Sequence, residues 1–204
     1  MLEDAKPCRM VQNELQFSSL ENEYTRLETI ALQLSIIIGD YIIKSYRMDS
    51  QSEFEEALRK YEHSLRLSAG EFNSENLILS IYKPDTNIKN AIGIRFDDYG
   101  ISPAITSADN RNRLIIGAGR AVWTVDLDTN SLVSYYESYA PFLFCKCIST
   151  GYIVIFEDSI CLFTFDGILR KNVSVAGVIT KFSFNNDVVK YRTDDCELDK
   201  VLTF

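Results

Sequence analysis

The sequence predicts an α+β protein in which N-terminal helices precede a mainly antiparallel, curved β-sheet built from propeller-blade-like meanders. Three observations carry that expectation. The first seventy residues are rich in Glu, Leu and Ser and poor in Gly, with apolar positions recurring every three or four residues. From Leu77 onward the period falls to two, and β-branched and aromatic residues alternate with turn signals. Within this second half a hairpin-like pattern repeats. The expected organisation is a mainly helical segment over 1–72 and an antiparallel β-meander domain over 73–204.

Ser18 and Glu21 have the spacing of a capping box, in which a serine hydroxyl accepts a free backbone N–H and the glutamate reaches back. Leu20, Tyr24, Leu27, Ala31, Leu34, Ile38 and Tyr41 then share one helical face, which predicts a helix from Leu20 to Tyr41. Ile30, Leu32, Leu34, Ile36 and Ile38 also alternate as a strand would, so both readings stand at this point. A second capping box, Ser52 with Glu55, opens a helix carrying Phe54, Leu58, Tyr61 and Leu65 on one face, with Gly70 as its stop. Glu55 with Arg59 and Glu56 with Lys60 add i,i+4 pairs. His63 falls off the apolar face and reads as a solvated surface histidine.

Strands are expected near 77–83, 92–97, 113–116, 120–127, 132–137, 142–148, 152–156, 160–165, 169–173, 178–184, 188–192 and 197–202. Ala121, Trp123, Val125 and Leu127 share one face of their strand, while Arg120, Thr124 and Asp126 share the other. Leu114 to Asp126 aligns by character with Ile153 to Asp166, an offset of 153 − 114 = 39 residues, and a fainter copy starts at Val188. That spacing is near the 40 to 45 residues of a propeller blade. The strand-rich region is long enough for about three blades, short of the four or more of a closed propeller, so a curved or partly closed sheet is expected.

The chain has 204 residues, 46% of them hydrophobic and 12% aromatic, enough for one full core. Its net charge of −8 and pI of about 4.8 repel phosphate backbones and anionic lipid and attract basic partners, so neither a nucleic-acid nor a membrane partner is expected. Met1-Leu2-Glu3-Asp4 lacks the basic start and apolar stretch of a secretory signal, and a cytoplasmic location is expected. The greasy run Ile30 to Ile43 is interrupted by Gln33, Ser35, Gly39 and Asp40 and is too short to span a membrane. The five cysteines include no CxxC pair and the one histidine cannot complete a zinc set, so reduced, buried thiols and no metal or cofactor are expected.

Gly117-Ala118-Gly119 follows an apolar run as a dinucleotide loop would. Val122 holds the third glycine position, however, and the pattern continues as a strand with no helix dipole to meet a pyrophosphate. The glycines read as a hairpin turn. No P-loop, HExxH, GxSxG elbow or calcium loop is present, and His63 has no evident nucleophile partner, so no catalytic residues are assigned. Asp97-Asp98, Glu157-Asp158 and Asp194-Asp195 are adjacent acids that turns ordinarily leave solvated.

What remains is an acidic surface with aromatic companions: Asp126, Asp128, Glu157, Asp158, Asp194 and Asp195, with Tyr135 and Tyr136, assigned to partner binding, and Glu137, Tyr139 and Glu197 nearby. Carboxylates steer a basic protein while tyrosines supply rigid contact area. The hairpin patterns Ile115-Ile116-Gly117-Ala118-Gly119 to Val125-Asp126-Leu127 and Gly151-Tyr152-Ile153-Val154-Ile155 to Phe165-Asp166-Gly167 resemble the immunity proteins of bacterial polymorphic toxin and contact-dependent growth inhibition systems. The resemblance implies a small, acidic, non-catalytic protein that binds and neutralises a cognate toxin domain, often a basic nuclease. Two further readings stand beside it: an interaction scaffold within a larger assembly, and an enzyme using paired carboxylates.

Overall fold

A computed structural model describes residues 35–86, 89–108, 112–185 and 187–204, apart from the side chains of Ala108 and Glu197. Among the described residues there are sixteen strands and one short helix, so the expectation of an α+β fold with N-terminal helices is corrected to a nearly all-β one. The predicted helix from Leu20 lies outside the described residues up to position 34. Beyond that, Ser35–Ile38 (β1) and Tyr41–Met48 (β2) form an antiparallel hairpin turned at Gly39, whose φ is +55°. The β-branched run Ile36-Ile37-Ile38 and the pair Ile42-Ile43 suit a pleated surface, so the alternating pattern overrode the helical one.

The second predicted helix exists but is short. It spans Gln51–Leu58 (α1) and is capped by Ser50, whose Oγ accepts from the Glu53 amide at 3.2 Å, two residues before the predicted cap. Leu65 lies instead in His63–Ala69 (β3), because Leu65, Leu67 and Ala69 alternate and the last two are buried against the first core layer. Glu56 does pair with Lys60, at 3.7 Å, whereas Glu55 turns to Arg66 at 2.7 Å instead of Arg59.

Glu75–Tyr82 (β4) and Lys89–Phe96 (β5) complete a first sheet of order β1-β2-β4-β5-β3, in which β3 runs parallel to β5 and the other pairs are antiparallel. Three antiparallel meanders follow. Ala104–Ala108 (β6), Arg113–Ala118 (β7), Ala121–Asp126 (β8) and Ser131–Glu137 (β9) form the second sheet. Phe142–Ile148 (β10), Gly151–Phe156 (β11), Ser159–Phe163 (β12) and Leu169–Ser174 (β13) form the third, and Ile179–Asn185 (β14), Val188–Thr193 (β15) and Cys196–Thr203 (β16) form the fourth. The predicted single curved sheet is thus four separate blade-like sheets.

Strand starts show the repeat directly. Those at 104, 113, 121 and 131 recur 38 residues later at 142, 151, 159 and 169, and the first three of these recur 37 residues on at 179, 188 and 196. The echo read from the sequence is real, one residue longer than the structural offset, and its third copy begins at Val188 as expected.

The sheets stack face to face, and each interface is a core layer. Leu79, Ile92 and Ile94 of the first sheet meet Leu114, Ile116, Trp123 and Val125 of the second. On the other face of the second sheet, Ile115 and Val122 meet Phe142, Tyr152, Val154, Phe156 and Phe163 of the third. Ile153, Ile155 and Ile160 then meet Ile179, Val189 and Tyr191 of the fourth. Strands buried on both faces explain the near-continuous apolar runs of β7 and β11. Helix α1 covers the outer face of the first sheet, setting Phe54 and Leu58 against Ile78 and Ala91. Gly93 permits this approach: a Cβ there would lie 2.6 Å from a Leu58 methyl and 2.7 Å from the Phe54 ring. Thr124 and Tyr152, both buried, join the second and third sheets through their hydroxyls at 2.9 Å. The stack ends at β14–β16, and it does not close into a ring among the described residues.

Candidate functional site

In an antiparallel meander, turns alternate between the two ends of the strands. The β7–β8, β11–β12 and β15–β16 turns therefore share one end of the stack with the connections that lead from each sheet to the next. Backbone hydrogen bonds stitch these segments into a rim. Ser138 donates to the Arg120 carbonyl and Phe142 to that of Gly119; Glu157 donates to Pro141; Val175 and Ile179 donate to Asp158 and Glu157; and Asp194 donates to Val178. The β3–β4 loop and the β5–β6 connection lie at this same end, because β3 and β5 both run toward it.

The expected binding residues are divided by this geometry. Glu157, Asp158, Asp194 and Asp195 lie on the rim, whereas Asp126 and Asp128 lie at the opposite end, in and beside the β8–β9 turn. Tyr135 and Tyr136 are neighbours in β9 and face opposite ways. Tyr135 stacks on Trp123 at 5.9 Å and hydrogen-bonds Glu137, while Tyr136 packs edge-on to Phe163 at 5.2 Å. No single patch unites the eight.

Much of the carboxylate capacity is spent within the fold. Asp126 accepts from the amide and hydroxyl of Thr129. Asp128 accepts from the Tyr41 hydroxyl at 2.6 Å and from Asn112, which ties the first sheet to the second. Those two donors, Tyr41 foremost, hold the Asp128 carboxyl below its usual range, while burial and then the facing carboxylate push the Tyr41 phenol up. On the rim, Asp158 accepts from Ser159, Asp194 from the Val178 amide at 2.8 Å, and Asp195 from Thr193.

Sequence reasoning missed the part of the rim where the structure forms clefts. Asp97, only 8% exposed, accepts three backbone amides: Glu71 and Phe72 at 3.0 Å each and Asn73 at 2.5 Å. This carboxylate fixes the β3–β4 loop, in which Gly70 has φ of +96° and Asn73 φ of +48°. Asp98 holds the next loop through the Gly100 amide, and its own amide donates to Ser74. Two clefts meet at Asp98. One, of about 210 Å³, is lined by Arg47, Glu75, Phe96, Ile101 and Pro103 among others, with Arg47 in an ion pair to Glu75 at 2.5 Å. The other, of about 460 Å³, is lined by Glu71, Phe72, Ser74, Asp97, Asp98, Tyr99 and Arg120.

Phe72 and Tyr99, which line the wider cleft, are 82% and 41% exposed, and Tyr139, in the rim loop whose Ser138 amide donates to Arg120, is 95% exposed. Their sequence signal was position. Each sits in a turn segment, Glu71-Phe72-Asn73, Asp98-Tyr99-Gly100 or Ser138-Tyr139-Ala140, where no strand register carries it into a core. Gly117-Ala118-Gly119 proves to be the end of β7 and its hairpin turn, with Gly119 at φ of +60°. Among the described residues no group of His, Cys, Asp and Glu is placed to hold a metal ion, and no helix is long and apolar enough to cross a membrane. Cys145 and Cys161 are buried free thiols.

No family model matches the chain, and no curated protein does. Among solved structures it is similar to BamB from Moraxella catarrhalis, at 12% identity over 84% of this chain and 43% of that one, with a TM-score of 0.48. It is similar to Hsv2 from Kluyvelomyces marxianus, at 16% identity over 63% and 44% of the two chains, and to the AfRom2 CNH domain, at 12% over 83% and 53%, each with a TM-score of 0.42. The chain spans roughly half the length of these structures. At such scores the likenesses carry no argument about function.

Proposed function

We propose that this chain is a non-catalytic protein-interaction module, in which the sheet stack is a scaffold and the rim around the Asp97 and Asp98 loops is the docking surface for a protein partner. The observation that carries this reading is the exposure of Phe72, Tyr99 and Tyr139, from three separate loops at one end of the stack, the first two lining a cleft walled by acids. Solvent-exposed aromatics are costly to leave on a surface and are enriched at the centres of protein interfaces. The loops that present Phe72 and Tyr99 are fixed by the carboxylates of Asp97 and Asp98, so little ordering entropy is lost there on docking. Free thiols at Cys145, Cys161 and Cys196 suit a reducing compartment, and we place the module inside the cell.

A photo-reactive phenylalanine analogue placed at Phe72 or Tyr139, and at Ile168 as a control on the opposite end, tests the proposal in native cells. Cross-linking of one protein species from the two rim positions and not from Ile168 is the expected result. Cross-linking from Ile168 alone overturns it. The partner's identity separates the two forms such docking takes: a stoichiometric nuclease-like protein selects toxin neutralisation, and a multi-subunit assembly selects the scaffold, which we favour because the acids first assigned to toxin capture are divided between two ends of the stack.

A further inference from the structure

We infer that the wider cleft on the rim receives the guanidinium of an arginine from an extended basic segment of the partner, held between the aromatic faces of Phe72 and Tyr99 and paired to Asp98 and Glu71. This rests on the docking surface proposed above and adds the chemistry of what occupies it.

The charge of the cleft selects a cation. Its lining carries Glu71, Asp97 and Asp98 against Arg120, a sum of −3 + 1 = −2, within a chain of net charge −8. Asp97 is committed to three backbone amides and one Asp98 oxygen to the Gly100 amide, so the lining carboxylates left to meet an incoming group are Glu71 and the second oxygen of Asp98. Asp98 lies 4.0 Å from Arg47, too far for a tight pair, while Arg47 is held at 2.5 Å by Glu75 in the neighbouring cleft. That arrangement is an internal precedent: on this rim a guanidinium already lies against a carboxylate.

The aromatic lining favours a planar cation. Phe72 and Tyr99 are both exposed and both line the cleft. Aromatic faces attract cations, and the flat, weakly hydrated guanidinium stacks on them better than a compact ammonium does. Nothing lies within 4 Å of a Cβ built at Gly100, so the lip beside Tyr99 is open for the chain that carries the arginine. The three hydrogen bonds that Asp97 accepts from backbone amides hold the Phe72 loop in place before any ligand arrives.

The test uses the full chain, isotope-labelled, titrated with acetyl-Gly-Arg-Gly-amide and with the same peptide carrying citrulline, lysine or glutamate. The arginine peptide is expected to shift the amides of 71–74 and 97–100 saturably. The citrulline peptide, and the arginine peptide on Asp98→Asn or Phe72→Ala, are expected to bind on the order of fivefold more weakly. Lysine is expected to fall between. Equal binding of arginine and citrulline peptides, preference for glutamate, or shifts confined to the opposite end would overturn the inference. If the arginine peptide fails while Phe72 and Tyr139 still cross-link a partner, the docking surface stands and only the arginine assignment falls. If the peptide binds while neither position cross-links, the reverse holds.

Discussion

Replacing Asp97 with alanine removes the carboxylate around which the β3–β4 loop is built, and the structure sets the size of the effect. Three amides, those of Glu71, Phe72 and Asn73, lose an ionised acceptor at 2.5–3.0 Å. A hydrogen bond to a charged group contributes about 1.5–3 kcal/mol. The freed amides belong to a loop with exposed residues and regain water in part, so the three together are expected to cost about 2–4 kcal/mol, less than their simple sum. For a domain of this size that corresponds to a fall in Tm of roughly 5–15 °C. Asp97→Asn keeps one carbonyl acceptor and should cost about half as much. The assay is urea denaturation paired with amide hydrogen exchange, because only the second reports on the loop itself. Faster exchange at 71, 72 and 73, with the β7–β8 and β11–β12 strands still protected, is the expected pattern. Unchanged exchange at those three amides in Asp97→Ala would refute the reasoning, whatever the global stability does.

Four further outcomes follow from the core layers. Tyr152→Phe leaves the buried Thr124 hydroxyl without its partner and should cost about 1–2 kcal/mol in denaturant unfolding. Burial pushes the Tyr152 phenol up to about 12, so its contribution is fully present below the unfolded tyrosine value near pH 10 and is lost as pH rises toward 12; Tyr152→Phe should flatten that alkaline loss of stability. Gly93→Ala drives a methyl toward Leu58 and Phe54 and should destabilise by about 1–3 kcal/mol, detectable as loosened exchange protection in α1 before the rest of the chain. Burial pushes the Cys161 thiol up to about 11 and Cys145 well above its ordinary value, so peptide mapping after thiol alkylation at pH 8 should find both unmodified in the native protein and modified in urea.

How much of this was legible in the sequence varies with what fixes each element. All twelve strands expected from Leu77 onward are present, most of them because their alternation or continuous apolar runs reflect burial on one or both faces. The strands not among the twelve, β1, open in sequence between helix and strand, and β2, β3 and β6, carry patterns that two periods share or that are too short to carry one. His63 to Ala69 continues the helical spacing of Phe54 and Leu58, and only pairing with β5, more than twenty residues away in sequence, makes it a strand. The repeat was visible, yet its number of blades was not, because the first sheet departs from it by inserting α1 and a parallel edge strand. At the site, sequence pattern marked adjacent acids and the tyrosines of β9. It could not show that Asp126 and Glu157 sit at opposite ends, since that depends on which turns share an end. Phe72 and Tyr99 carried no periodic signal, being defined by lying outside every strand.

On the proposed reading, the Asp97 end of the stack, and not the opposite end, docks a protein. The measurement that tests it most directly is the affinity of the cross-linked partner, once purified, for two double variants: Phe72→Ala with Tyr139→Ala on the rim, and Leu132→Ala with Ile168→Ala away from it. All four residues are at least 44% exposed, so both variants should fold with near-native stability. The account predicts that the rim variant loses at least about tenfold in affinity while the other stays within about twofold. Equal losses, or a loss confined to Leu132 and Ile168, would contradict it.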